Sequence, residues 1–275
     1  MASSIRIAVF AHGAQKEKVL RARGVLSEAG IRAEILEVEG PTALLRGDID
    51  VFPADMATLP PLLPEGWKIA AVSERQDPAD VLLVRVGSTT AGRLFGLRER
   101  ARVGCFSPLQ KAQFGEFRPD LELTMAGEDD VAGTLALLRE GQLDGLLVPA
   151  HVAFSFSQEL LPFQATRLHP QEMVPLPAQG VTAWIAFDGD ASVQRMLKAI
   201  HHPEVSAATN VERMALRLLG QDAIGNFGAY CTRDAGGNYH VSAARSERQS
   251  GMLRRAAISS STNFQLAARL AASIA

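Results

Sequence analysis

The chain has 275 residues, 47% of them hydrophobic, and a formal net charge of −2. That length suits one large or two to three small domains, with enough apolar residues for real cores. Near-neutral charge gives no electrostatic reason to expect nucleic acid or a membrane as partner, and no run reaches the roughly 18 apolar residues of a membrane span.

In chain order, the first apolar run is Ile5 to Phe10. A helical pattern follows from Ala14 to Glu28 with Val19, Leu20, Val25 and Leu26 on one side, and Gly30 sits where a helix-terminating glycine belongs. Ile31 to Val38 alternates as a strand does, so strand, helix, strand reads as a βαβ unit and favours a parallel sheet. A second unit runs through a strand at Ala101 to Phe106, a helix at Pro108 to Phe117 and a strand at Leu121 to Met125. Pro108 suits the first helical turn, where its missing N–H has no partner to lose. Asp129 and Asp130 precede another helix, which ends at Gly141. Leu143 to Val148 is an apolar strand, and Val181 to Phe187 is a further one beyond the proline-rich stretch Pro170 to Pro177. After a helix from Val205 to Leu219, three strands are expected near Phe227–Thr232, Tyr239–Ala244 and Met252–Ser259. Ser260 or Ser261 is expected to cap a last helix containing Phe264, Leu266, Leu270 and Ile274. The opening MASSIRIAVF shows no signal peptide, and Cys105 and Cys231 suggest no disulfide framework, so a cytoplasmic protein is expected.

One stretch, Glu212 to Tyr230 (ERMALRLLGQDAIGNFGAY), resembles the segment that porphobilinogen deaminases (hydroxymethylbilane synthases) write as ER-x7-GGC-x-x-P-x-G-x-Y. Glu212, Arg213, Gly228 and Tyr230 match without a gap. Other blocks follow family order: SERQDPAD at Ser73, RPDLEL at Arg118, LREGQLDGLL at Leu138, PLPAQG at Pro175, and His201-His202 at the start of the third domain. The resemblance implies an α/β fold of three domains. Two are βαβ-type domains like those of type II periplasmic binding proteins, formed by residues 1–92 with 173–192 and by 93–172. The third is a small α+β domain at 193–275. It also implies an active site, and a small-molecule ligand, in the cleft between domains 1 and 2. A monomer without nucleic-acid or membrane partners is expected.

The family reaction joins four porphobilinogen units on a dipyrromethane cofactor held by a cysteine thioether, and soft thiolates suit that bond. Here the cysteine position is Ala223, Gln221 and Asp222 replace two glycines, and Asn226 replaces a proline. No cofactor is therefore expected, and neither Cys231 nor Cys105 is expected to substitute. The family's catalytic aspartate falls on Asp55 with one gap, and a cap on the following turn is an equal reading of that residue. Arginines of the family correspond to Phe10, Leu109, Gln110 and Thr134, and its serine near the first helix to His12. Glu128, Asp129 and Asp130 add acidic groups. Of the family's substrate loop, Gly104, Ser107, Ala112 and Gln113 remain, with Ser107 and Gln113 as candidate substrate-binding residues. Losing four guanidinium–carboxylate pairs would weaken polycarboxylate binding by about 6–12 kcal/mol. His201-His202 has no third ligand nearby, so no metal site is expected. His151, His169 and His240 are scattered without evident partners. The expected function is that of a porphobilinogen deaminase-like protein of tetrapyrrole biosynthesis without deaminase activity. The alternatives are a clamshell binder with a changed ligand, or an active deaminase with an unusual anchor.

Overall fold

The computed structural model describes residues 4–10, 15–38, 47–127, 131–153, 162–248 and 250–275. The chain divides into two compact units, Met1–Gln76 with Gly180–Ala207, and Asp77–Gln179 with Ala208–Ala275. No helix among the described residues is long and apolar enough to cross a membrane.

In the first unit, β1 (Ser4–Phe10), α1 (Gln15–Glu28) and β2 (Arg32–Val38) form the expected βαβ unit, with β1 and β2 parallel and Ile7 opposite Ile35. Val19, Ala22 and Leu26 of α1 bury against Ile5, Ile7 and Val9, because residues three and four apart share one helix face. Leu20 and Val25, expected on the packed side, are exposed. Two strands that alternation did not reveal, β3 (Phe52–Asp55) and β4 (Trp67–Val72), flank β10 (Thr182–Phe187), and both are antiparallel to it. Pro53 is tolerated because β3 is an outer strand of this sheet. The short α5 (Ala191–Leu197) follows, capped by Asp190.

The second unit is built on a five-stranded sheet of order β7-β6-β8-β5-β9, comprising β5 (Asp80–Arg85), β6 (Arg102–Cys105), β7 (Glu122–Met125), β8 (Gly145–Pro149) and β9 (Phe163–Arg167). β6 runs parallel to β7 and β8, with α2 (Pro108–Phe117) and α3 (Val131–Arg139) as crossovers. A single turn, α4 (Ala150–Ala153), follows β8. β5 and β9, which were not read from the sequence, are antiparallel additions. The long α6 (Pro203–Leu219) leads to an antiparallel meander of β11 (Phe227–Arg233), β12 (Tyr239–Ser246) and β13 (Leu253–Ser260), then α7 (Leu266–Ile274).

The start of α7 corrects the expected serine cap. The residue before the helix is Gln265, left-handed at φ 51 with no side-chain cap. Ser260 and Thr262 instead accept from Thr262 N–H and Phe264 N–H, making two turns before the helix begins. Phe264 therefore lies outside the helix and is 75% exposed.

Candidate functional site

The helix α6 ends at Gly220, whose φ of 81 requires glycine, and the chain closes a short turn over Gln221–Ala223. Ala223 is fully buried, its N–H donates to the Gly220 carbonyl at 3.1 Å, and its own carbonyl accepts from Asn226 N–H at 3.0 Å. Asn226, standing where the family has proline, is buried and knits the loop together. Its Nδ2 donates to the carbonyls of Asp222 and Ile224, and its Oδ1 accepts from Ser246 Oγ at 3.1 Å. The loop is also stapled to α2, since Leu109 N–H donates to the Gly225 carbonyl at 3.0 Å. A Cβ on Gly228 would lie 2.6 Å from both Leu109 Cδ2 and the Pro175 carbonyl oxygen, so only glycine fits. Position 223 thus presents a methyl group in a packed interior. A groove of about 1070 Å³ opens beside the loop, between Lys111, Leu123 and Met125 and the facing Ile224, Gly225 and Arg248.

Glu212 has a different environment. Its carboxylate is fully buried and accepts from Ala178 N–H at 2.6 Å and from Cys231 N–H at 2.7 Å. Charge-assisted bonds of this kind are short and strong, and here they hold Ala178 in a left-handed conformation (φ 65) that disfavours a side chain. Neighbouring groups fasten the same crossover. Gln113 Nε2 donates to the Val174 carbonyl at 2.9 Å while its Oε1 accepts from Val174 N–H at 2.8 Å. Gln179 Nε2 donates to the Pro78 carbonyl at 2.8 Å and to Asp80 Oδ1 at 3.0 Å.

Asp55 ends β3 half-buried, and its Oδ1 accepts from Ala57 N–H at 3.1 Å, the turn-capping contact. Lys18 on α1, which sequence reading passed over, feels the Asp55 charge. Burial pushes its amine below the ordinary lysine range, and Asp55 partly opposes this. Ser107 is buried as the cap of α2, accepting from Gln110 N–H at 3.0 Å. Leu109 packs with Val174 and Ala244, and Gln110 accepts from Phe106 N–H at 2.8 Å while bonding the Asp80 carboxyl. Thr134 is buried on α3. His12, Glu128, Asp129 and Asp130, and the side chain of Phe10, lie outside the described residues.

Both thiols are buried, and burial pushes Cys105 up to about 12. His201 Nδ1 accepts from Val72 N–H at 3.2 Å and His202 N–H donates to the Val72 carbonyl, so this pair clamps the end of β4. The expectation that His169 and His240 lack partners is corrected. His169 Nδ1 accepts from Gln171 N–H at 3.3 Å. His240 bonds Ser259 Oγ at 2.8 Å and Asp234 Oδ2 at 3.0 Å on the exposed hairpin. Those partners sit across a strand pair and a turn, where no short sequence pattern records them. No group of three or more metal-ligating side chains occurs among the described residues.

Residues 27–195 match the family model described as porphobilinogen deaminase, dipyrromethane cofactor binding domain, a range that ends before the 221–226 loop. The porphobilinogen deaminase of Thermus thermophilus is 33% identical over 78% of this chain and 69% of its own length. That of Moorella thermoacetica is 34% identical over 70% of this chain and 58% of its own. A probable porphobilinogen deaminase of Methanosarcina acetivorans is 30% identical over 73% and 60%. The alignments thus span between 58% and 69% of these relatives' own length. Among solved structures, an arginine-specific periplasmic binding protein of Salmonella typhimurium aligns at 12% identity and a TM-score of 0.46 over 76% of this chain and 98% of its own, a likeness too loose to carry weight. The family model covers more than half of the sequence and the Thermus thermophilus enzyme is 33% identical over 69% of its own length, and the chain belongs to the porphobilinogen deaminase family.

Proposed function

We propose that this homologue does not assemble a tetrapyrrole chain itself, and that it serves as a binding or regulatory protein in tetrapyrrole metabolism. The observation that carries the reading is Ala223, a fully buried methyl group where the family's cofactor thioether forms. A thioether needs a thiolate, and the residues present do not fit that attachment. The positions of two family arginines support it further, because Leu109 is buried in a core and Gln110 is occupied by Phe106 N–H and Asp80. Neither cysteine compensates. Cys105 is held protonated by burial, and Cys231 lies buried in β11. The setting inferred is a cytoplasmic monomer that takes a small molecule, without nucleic acid or membrane.

Intact-mass measurement of the purified protein tests the reading, with the bare chain mass expected and no colour with Ehrlich's reagent. A mass increment of one dipyrrole sinks it. So does ammonia release from porphobilinogen that Asp55→Asn abolishes, which would favour an active deaminase with another anchor.

A further inference from the structure

The groove of about 1070 Å³ beside the 221–226 loop lies wholly within the second unit. One wall is a single face of α2, because Pro108, Lys111, Ala112 and Gly115 recur at steps of three and four. Leu123 and Met125 of β7 also line it, while Glu122 and Thr124, at the alternate positions, do not. Met125 and, on the other wall, Ile224 are 44% and 42% exposed.

The polar groups of this groove are largely satisfied among themselves. Asn226 Oδ1 accepts from Ser246 Oγ at 3.1 Å, and Glu247 accepts from Ser250 Oγ at 2.9 Å and from Arg254 Nη2 at 2.8 Å. Arg118 pairs with Asp120 at 2.6 Å, and Arg248 stands 3.6 Å from Asp222. Lys111 differs from these charged lining residues. Its side chain is exposed and, among the described residues, has no acid or hydrogen-bond acceptor. A lone exposed apolar side chain is ordinary, but apolar groups sharing one concavity offer water few partners and a ligand much contact. The charge left over for that ligand to meet is positive.

We propose that this groove binds an amphipathic organic anion, an apolar body about the size of two or three rings with its acidic group set against Lys111. The site gives a place and a chemical class to the small molecule of the proposed function and rests on that part of it. Whether the deaminase reaction survives does not enter, so a dipyrrole mass increment would sink the proposed function and leave the groove standing.

The test is fluorescence titration of the full chain with 8-anilinonaphthalene-1-sulfonate and with N-phenyl-1-naphthylamine, which has the same rings without the sulfonate. Saturable binding of both is expected, with the anion held more tightly. Lys111→Gln should weaken the anion about threefold, as loss of a solvent-exposed charge contact does, and leave the uncharged dye unchanged. A Cβ on Gly115 would lie at an ordinary 3.5 Å from Leu123 Cδ1, so the longer side chain of Gly115→Leu extends over the groove. That variant should weaken both dyes about tenfold or more, and replacing a helical glycine favours its folding. Should it fail to fold, Ala112→Leu blocks the same face. Arg269→Gln, on the exposed face of α7, should change neither dye. Loosely packed chains also bind the anionic dye, so near-ultraviolet circular dichroism checks that each variant is folded. An anion bound no more tightly than the uncharged dye, Lys111→Gln without effect, or dye binding equal to the parent's in the folded blocking variant overturns the proposal.

Discussion

Glu212 and Ala223 belong to one matching motif, and they have met opposite fates. Glu212 keeps an ionisable side chain in a fully buried position because two backbone donors, from Ala178 and Cys231, converge on it. Ala223 is equally buried but carries nothing that reacts, and its loop is fixed by Asn226, Ser246 and Leu109 through backbone and amide contacts. One of these positions is structural scaffolding and the other is where the family does chemistry. A sequence can lose the second and still be recognised by the first, since the first is what makes the fold close.

The largest expected effect comes from attacking the scaffold. Glu212→Ala strips two buried amides of a charged acceptor, at about 1.5–3 kcal/mol each, so the unfolding free energy should fall by about 3–6 kcal/mol in urea titrations. A loss under about 1 kcal/mol would mean the carboxylate is not the clasp described here.

Asp80 belongs to the same scaffold through Gln179, and its contribution depends on pH. Burial pushes its carboxyl up to about 6, against hydrogen bonds from Gln110 and Gln179. The folded protein therefore holds this proton more tightly than the unfolded chain. Its contribution to stability is full below the ordinary value of 3.8 and is lost as pH rises through about 6. The parent should lose up to about 3 kcal/mol across that window, and Asp80→Asn should level the profile. A parent profile already level would show that Asp80 titrates normally.

Gly228→Ala probes the seam between scaffold and loop. The added methyl meets Leu109 and the Pro175 carbonyl at 2.6 Å, and overpacking of this kind should lower stability by about 1–3 kcal/mol. A thermal melt unchanged from the parent would show that the seam has slack.

The smallest effect is expected from restoring the missing atom. Ala223→Cys should fold with nearly parental stability and still show its bare mass after incubation with porphobilinogen, because the new thiol would be buried. A gain of one dipyrrole, read by mass spectrometry, would show that the loop opens.

Much of the frame was legible. The β1-α1-β2 and β6-α2-β7 units follow from apolar spacing with Gly30 and Pro108 as punctuation, and the meander from its turn residues. What was not legible is what depends on distant partners. β3 and β4 are short, Pro53 disguises the first, and neither has meaning without β10. Asp80 begins a strand that alternation could not announce, since its acceptor atoms are satisfied by residues far along the chain. Ser107 and Gln113 were read as substrate groups and sit in a cap and a backbone clasp.

The sheet order β3-β10-β4 has a consequence for biosynthesis. Its middle strand is the last of the three to leave the ribosome, more than a hundred residues after its neighbours. Until Thr182–Phe187 emerges, β3 and β4 each lack the strand they pair with, and non-local pairing of this kind is slow. Unpaired strand edges invite association with other chains. Recovery of this protein from denaturant should therefore worsen as its concentration rises, and a nascent chain stalled short of residue 182 would be a natural client for chaperones.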